Sequence, residues 1–159
     1  MIRCLNCFKE YDEQLGVCPY CGVSDVSPSE PIHLYPGTLL KGRYLIGSSV
    51  GAGGFGIIYK AFDTKLENII VVKEFYPSRL VTRAAGTERV IINGKSREEY
   101  DYRKMRLLAE ARDMARFGAH KNIPNVYEYF EENELLDNID EAANLAADII
   151  YFIDLLKKK

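Results

Sequence analysis

Gly51-Ala52-Gly53-Gly54-Phe55-Gly56-Ile57-Ile58, followed by Ile69-Ile70-Val71-Val72-Lys73, decides how this chain is read. The first run fits G-x-G-x-x-G-x-V, with Ile58 in the valine position, and Tyr44-Leu-Ile before it and Ile57-Ile-Tyr59 after it read as two short strands joined tightly. In a dinucleotide-binding unit the same glycines stand between a strand and a helix, whereas here the chain continues as strand. Taken alone the pattern also suits an ordinary hairpin turn. The second run is β-branched and fits a buried strand, yet it ends in Lys73, 17 residues beyond Gly56. A cation at that place needs a negative partner.

Downstream, Ser96 and Glu99 form a capping-box pair and Gly118 is a suitable stop, so the spacing predicts a helix over about 97–117. Met105, Leu108, Ala111 and Ala115 recur along one side of it. Glu110 shares a side with Leu107 and Met114, which would let it face the sheet, although an isolated glutamate on a helix is more often solvated. Val90-Ile-Ile before Asn93-Gly94 reads as a short extended piece and a turn, and Val126-Tyr-Glu-Tyr-Phe130 as a strand. From Leu135 two readings compete. Ile139, Ala142, Ala146, Ile149, Ile153 and Leu156 make a helical stripe, which favours a helix, while Ile149-Ile-Tyr-Phe-Ile153 is also a strand core.

Upstream, residues 24–37 hold three prolines among small polar residues and read as a linker. All four cysteines precede it, as Cys4-x-x-Cys7 and Cys18-x-x-Cys21-Gly22, with ten residues between the pairs. Two such knuckles let four thiolates converge tetrahedrally on one Zn²⁺, and Gly22 relieves the backbone where it curls around the metal. Disulfides or a redox dithiol are the alternatives, but no apolar leader precedes the cysteines, and paired CxxC units favour metal. A module this small has little core, so metal would supply most of its folding free energy.

Composition limits the partners. The chain has 159 residues, 47% hydrophobic and 28% charged, enough to bury a core and keep a wettable surface. Its net charge of −2 gives no long-range attraction to nucleic acid or anionic lipid, and Arg3 and Lys9 against Glu10, Asp12 and Glu13 leave residues 1–23 at −1. The cysteine module is therefore expected to be structural or to contact protein. The longest apolar run, Ile149 to Ile153, is too short for a membrane span, and a cytoplasmic protein is expected.

Over residues 38–134 the chain resembles the N-lobe of a bacterial-type serine/threonine protein kinase. Besides the glycine run and Lys73, the resemblance is carried by Gly37-Thr-Leu-Leu-Lys-Gly-Arg43-Tyr44, Tyr59-Lys-Ala-Phe-Asp63, Glu110-Ala-Arg112 and His120-Lys-Asn-Ile-Pro-Asn-Val126. It implies an α+β fold in which a four-cysteine zinc ribbon precedes an antiparallel sheet with one main helix. It implies ATP as ligand, held by Gly51, Ala52, Gly53, Gly54, Phe55, Gly56, Ile58 and Lys73, with Glu110 pairing to Lys73 as the second catalytic residue. Zinc would sit on Cys4, Cys7, Cys18 and Cys21.

The expected domains are a ribbon over 1–23, a linker and lead-in over 24–42, the lobe over 43–134, and a tail over 135–159, either helix or fifth strand. H-R-D-x-x-x-x-N, D-F-G and A-P-E do not occur, so the family's catalytic base and Mg²⁺ ligands are missing, and the chain alone is expected not to transfer phosphate. A kinase C-lobe or another protein is then the implied partner. The alternative is a pseudokinase-like adaptor in which the nucleotide is optional.

Overall fold

The computed structural model describes residues 1–54, 56–83, 89–116, 126–132 and 149–155. Beside a two-stranded ladder of β1 (Ile2–Arg3) and β2 (Glu10–Tyr11), its centre among the described residues is a six-stranded antiparallel sheet of β3 (Leu39–Leu40), β4 (Tyr44–Gly53), β5 (Gly56–Asp63), β6 (Asn68–Phe75), β9 (Val126–Glu132) and β10 (Ile149–Leu155), in the order β3-β4-β5-β6-β10-β9. The α-helix α1 (Arg97–Arg116) precedes β9.

The sheet curls until its far edge returns to its beginning. Tyr44 on β4 stacks on Phe130 of β9 with ring centroids 5.7 Å apart, and the Glu128 carboxylate accepts from the Tyr44 hydroxyl and the Lys41 ammonium. The curl encloses Tyr44, Ile46, Ile57, Tyr59, Ala61, Ile70 and Val72, which alternate along their strands and point to one side. The opposite face of β4–β6 carries Leu45, Gly47, Ile58, Lys60, Phe62, Val71 and Lys73, matched across the strands by the pairs Leu45↔Phe62, Ile58↔Lys73 and Lys60↔Val71.

The tail departs from the helical expectation where it is described. Ile149–Leu155 is a strand paired to both β6 and β9, with Phe152↔Lys73 and Tyr151↔Phe130 in register. The physical reason is that β6 and β9 would otherwise each expose a row of unpaired N–H and C=O groups, and a β-branched run filling that gap satisfies both rows. The 3.6-residue stripe is outweighed by this tertiary demand. Residues 135–147, the first part of that stripe, and Gly118 lie outside the described residues.

The helix agrees with its expected span, but its buried line differs. Tyr100 and Ala111 are buried and Leu107 and Leu108 pack against the core, whereas Met105 and Ala115 are exposed. Val90–Ile92 (β8) pairs with Val81–Arg83 (β7), a strand the sequence reading did not foresee, and Val81, Arg83, Val90 and Ile92 face inward while Thr82 and Ile91 face out.

The proline-containing linker is not a free tether at its second half. Ile32 packs on the core, Leu34 and His33 are buried, and the Leu34 N–H donates to the Tyr59 hydroxyl at 2.9 Å. Two apolar side chains among the prolines are enough to anchor this segment on the core. Among the described residues no helix is long and apolar enough to cross a membrane.

The β5–β6 turn is fixed by Asp63. Its carboxylate accepts a two-point contact from Arg43, Nε at 2.9 Å and Nη2 at 2.7 Å, and the N–H groups of Lys65 and Leu66 at 2.9 and 3.2 Å. Burial alone would raise the Asp63 pKa, but these donors outweigh it and hold the group below its usual value. A depressed pKa contributes stability that is present above the unfolded-state value, near 4, and is lost as pH falls through the folded value. Acid unfolding of Asp63→Asn, followed by circular dichroism, is expected to show a shallower pH dependence below about pH 4. The same variant is expected to be about 1–3 kcal/mol less stable at pH 7.

Candidate functional site

The glycine-rich run forms the tip of the β4–β5 hairpin, closed by the pair Gly53↔Gly56, with Gly51↔Ile58 and Ala52↔Ile57 behind it. The glycines are not equivalent. A Cβ on Gly56 would lie 2.4 Å from the Glu74 carbonyl oxygen and 3.5 Å from Lys73 Cε, so only glycine lets β6 and the lysine stem pass this close. A Cβ on Gly51, Gly53 or Gly54 would meet nothing within 4 Å. Packing among the described residues therefore gives no reason for those three. Phe55 lies outside the described residues.

Lys73 leaves β6 on the face it shares with Ile58 and enters a cavity of about 890 Å³. Phe75, Tyr102, Arg106, Leu107, Glu110 and Met114 are among its other lining residues, so α1 supplies the opposite wall. Lys73 and Glu110 are thus brought to one cavity. Glu110 is exposed, and no ion pair joins it to Lys73 among the described residues.

The residue after Lys73 was not singled out by its sequence, although strand alternation requires it to point the other way, into the core. Glu74 is fully buried and forms an ion pair with the equally buried Arg83 of β7. The Tyr59 hydroxyl donates to Glu74 Oε2 at 2.9 Å, and Arg83 Nη1 donates to the Ile32 carbonyl at 2.7 Å. The Glu74–Arg83 pair thereby ties β5, β6, β7 and the segment around Ile32 together on the side of β6 opposite the lysine. Burial, then the neighbouring Glu74 charge, raise the Tyr59 pKa and keep the phenol protonated as a donor.

At the N-terminus the four cysteine Sγ atoms lie within 4.8 Å of one another, with Cys4–Cys21 at 3.5 Å and Cys7–Cys18 at 3.7 Å. These separations are too long for a disulfide and close to the ~3.8 Å edge of a tetrahedron with Zn–S bonds of about 2.3 Å. The donor set therefore fits a tetrahedral metal. The two knuckles repeat one backbone pattern: Phe8 N–H donates to the Cys4 carbonyl and Gly22 N–H to the Cys18 carbonyl, each at 2.8 Å. The Val23 N–H, and next the Asn6 side chain, favour the thiolate of Cys21 and bring it down to about 6, the ionised form a metal requires.

No known protein-family model matches this sequence. Among solved structures, the chain is similar to the apo form of PpkA-294, a bacterial Ser/Thr kinase fragment, at 25% identity and a TM-score of 0.65. The similarity covers 79% of this chain and 39% of that one, so the chain spans about two-fifths of the protein it matches. The curled sheet with helix α1 is a kinase N-lobe-like α+β fold, and the four cysteines ahead of it form a cluster able to hold a metal ion.

Proposed function

We propose that this chain is the ATP-binding N-terminal part of a serine/threonine protein kinase, gripping the nucleotide phosphates between the glycine-rich hairpin and Lys73. The observation that carries this reading is the route of the Lys73 stem beneath Gly56, on a hairpin tip where a Cβ at any of the other glycines would meet no described residue within 4 Å. Backbone N–H groups at such a tip can approach phosphate oxygens closely, and the ammonium supplies the point charge. Ile58 and Val71, on the same face, would meet the base. Zinc on Cys4, Cys7, Cys18 and Cys21 completes the proposal, with the ribbon over residues 1–23 and the lobe over 43–134 extended by β10.

Calorimetric titration of the full chain with ATP is expected to show weak binding, because one lobe supplies only one wall of the cleft. Lys73→Ala is expected to weaken it a further tenfold or more, about 1.4 kcal/mol. Submicromolar affinity, or an affinity that ignores Lys73→Ala, would contradict the reading.

A second reading is favoured by Glu110, which faces the cavity of Lys73 without pairing to it. A chain that works as an adaptor, with α1 pressed inward by a partner protein, predicts partner binding indifferent to Lys73→Ala.

A further inference from the structure

The cysteine module lies against the lobe, on the face from which Lys73 projects. Phe8 stacks on Phe62 with ring centroids 5.7 Å apart, Arg3 Cζ sits 4.2 Å from the centre of the same ring, and Lys60 Nζ donates to the Asn6 carbonyl at 3.0 Å. Lys60 and Phe62 follow Ile58 at two-residue steps along β5, so the first knuckle begins about 7 Å along the strand from the side chain opposite Lys73.

Two features mark this contact as built. Gly47 of β4 has no room for a side chain: a Cβ there would lie 2.5 Å from the Leu5 carbonyl oxygen and 2.6 Å from Phe8 Cζ. Phe8 also adopts the left-handed backbone conformation, φ 61°, at the place where the second knuckle uses Gly22, φ 75°. A bulky residue is disfavoured there. Its ring is buried yet does not belong to the module's own core of Cys4, Tyr11 and Cys18. The side chain that makes this conformation costly is committed to the lobe.

We propose that the metal-bound first knuckle, Cys4 to Phe8, is a brace that positions the β4–β5 hairpin, so that metal occupancy governs how well the glycine-rich tip holds nucleotide. Metal fixes Cys7, Cys7 fixes the adjoining Phe8, and the Phe8 ring together with the Asn6 carbonyl holds Phe62, Gly47 and Lys60. Without metal the small core of Cys4, Tyr11 and Cys18 is too little to keep the knuckle folded, Phe8 relaxes from its left-handed conformation, and the hairpin loses its packing on one face. The nucleotide half of this proposal rests on the kinase reading above; the brace itself does not.

Amide hydrogen exchange over residues 44–49 and 57–63 of the full chain, zinc-loaded and after chelation, tests both halves. Chelation is expected to accelerate exchange about tenfold or more and to weaken ATP binding by a similar factor. Phe8→Ala is expected to keep one zinc per chain, to show the rates of the stripped protein, and to respond no further to chelator. Lys60→Met, which loses the bond to Asn6 and the ammonium's contact with the Phe8 ring, 5.7 Å from its centre, is expected to move the same way by less, and it serves as the test where Phe8→Ala does not fold. Exchange rates that chelation changes by less than about twofold would overturn the brace. Zinc-dependent exchange with no ATP binding would refute the nucleotide half and leave the brace standing; Lys73-dependent ATP binding indifferent to zinc would refute the coupling and leave the kinase reading standing.

Discussion

Glu74→Ala is expected to destabilise the chain by about 3–5 kcal/mol, because it leaves the Arg83 guanidinium charged, fully buried and without its carboxylate. The Tyr59 hydroxyl loses its acceptor in the same step, while still accepting from the Leu34 N–H. Against a typical total of about 5–15 kcal/mol, a loss of that size leaves a substantial unfolded fraction. Removing both charges at once has a different outcome. Glu74→Leu combined with Arg83→Met leaves no buried charge and is expected to recover most of the loss. Urea unfolding with an unchanged slope and a shifted midpoint is the measurement. A loss under about 1 kcal/mol for Glu74→Ala would show that the pair is not closed as described.

Cys18→Ser is expected to abolish metal binding and unfold residues 1–23, since Cys18 is fully buried at the centre of a module whose remaining buried core is only Cys4 and Tyr11. Apparent metal-binding free energies of about 10–16 kcal/mol are available to a site of this kind, more than such a small core can replace. Metal analysis of the wild type is expected to give one zinc per chain, and the variant none. The lobe has its own core, built on Tyr44, Tyr59 and Val72, and is expected to stay folded in the variant. Protection of residues 1–23 that persists without metal would contradict this account.

The site was legible where chemistry forces sequence. Four cysteines in two CxxC pairs predicted their own convergence, and the glycine run predicted a hairpin tip, because Gly56 occupies a place only glycine can fill. The helix span was legible from a cap and a periodic stripe, but its buried line was not. Met105 and Ala115 belong to that stripe yet are exposed, whereas Leu108 and Ala111 of the same stripe pack on the core. What remained illegible depends on partners far away in sequence. Ile149–Leu155 carries both a helical and a strand pattern, and only the gap between β6 and β9 chooses between them. Glu74 could have been found from alternation beside Lys73, but its partner Arg83 lies on a short strand whose three residues carry too little pattern to be recognised. Phe8 gave no signal at all, since a left-handed phenylalanine is revealed only by its backbone angle and by the glycine it faces.

The central claim is that the glycine-rich hairpin and Lys73 together hold nucleotide phosphates, and the most direct test is a map of backbone amide shifts as the full, zinc-loaded chain is titrated with ATP. The account predicts that the largest changes fall on Gly51 to Gly56, Ile58 and Lys73 and vanish in Lys73→Ala. Shifts that fall elsewhere, or that persist unchanged in Lys73→Ala, would contradict it.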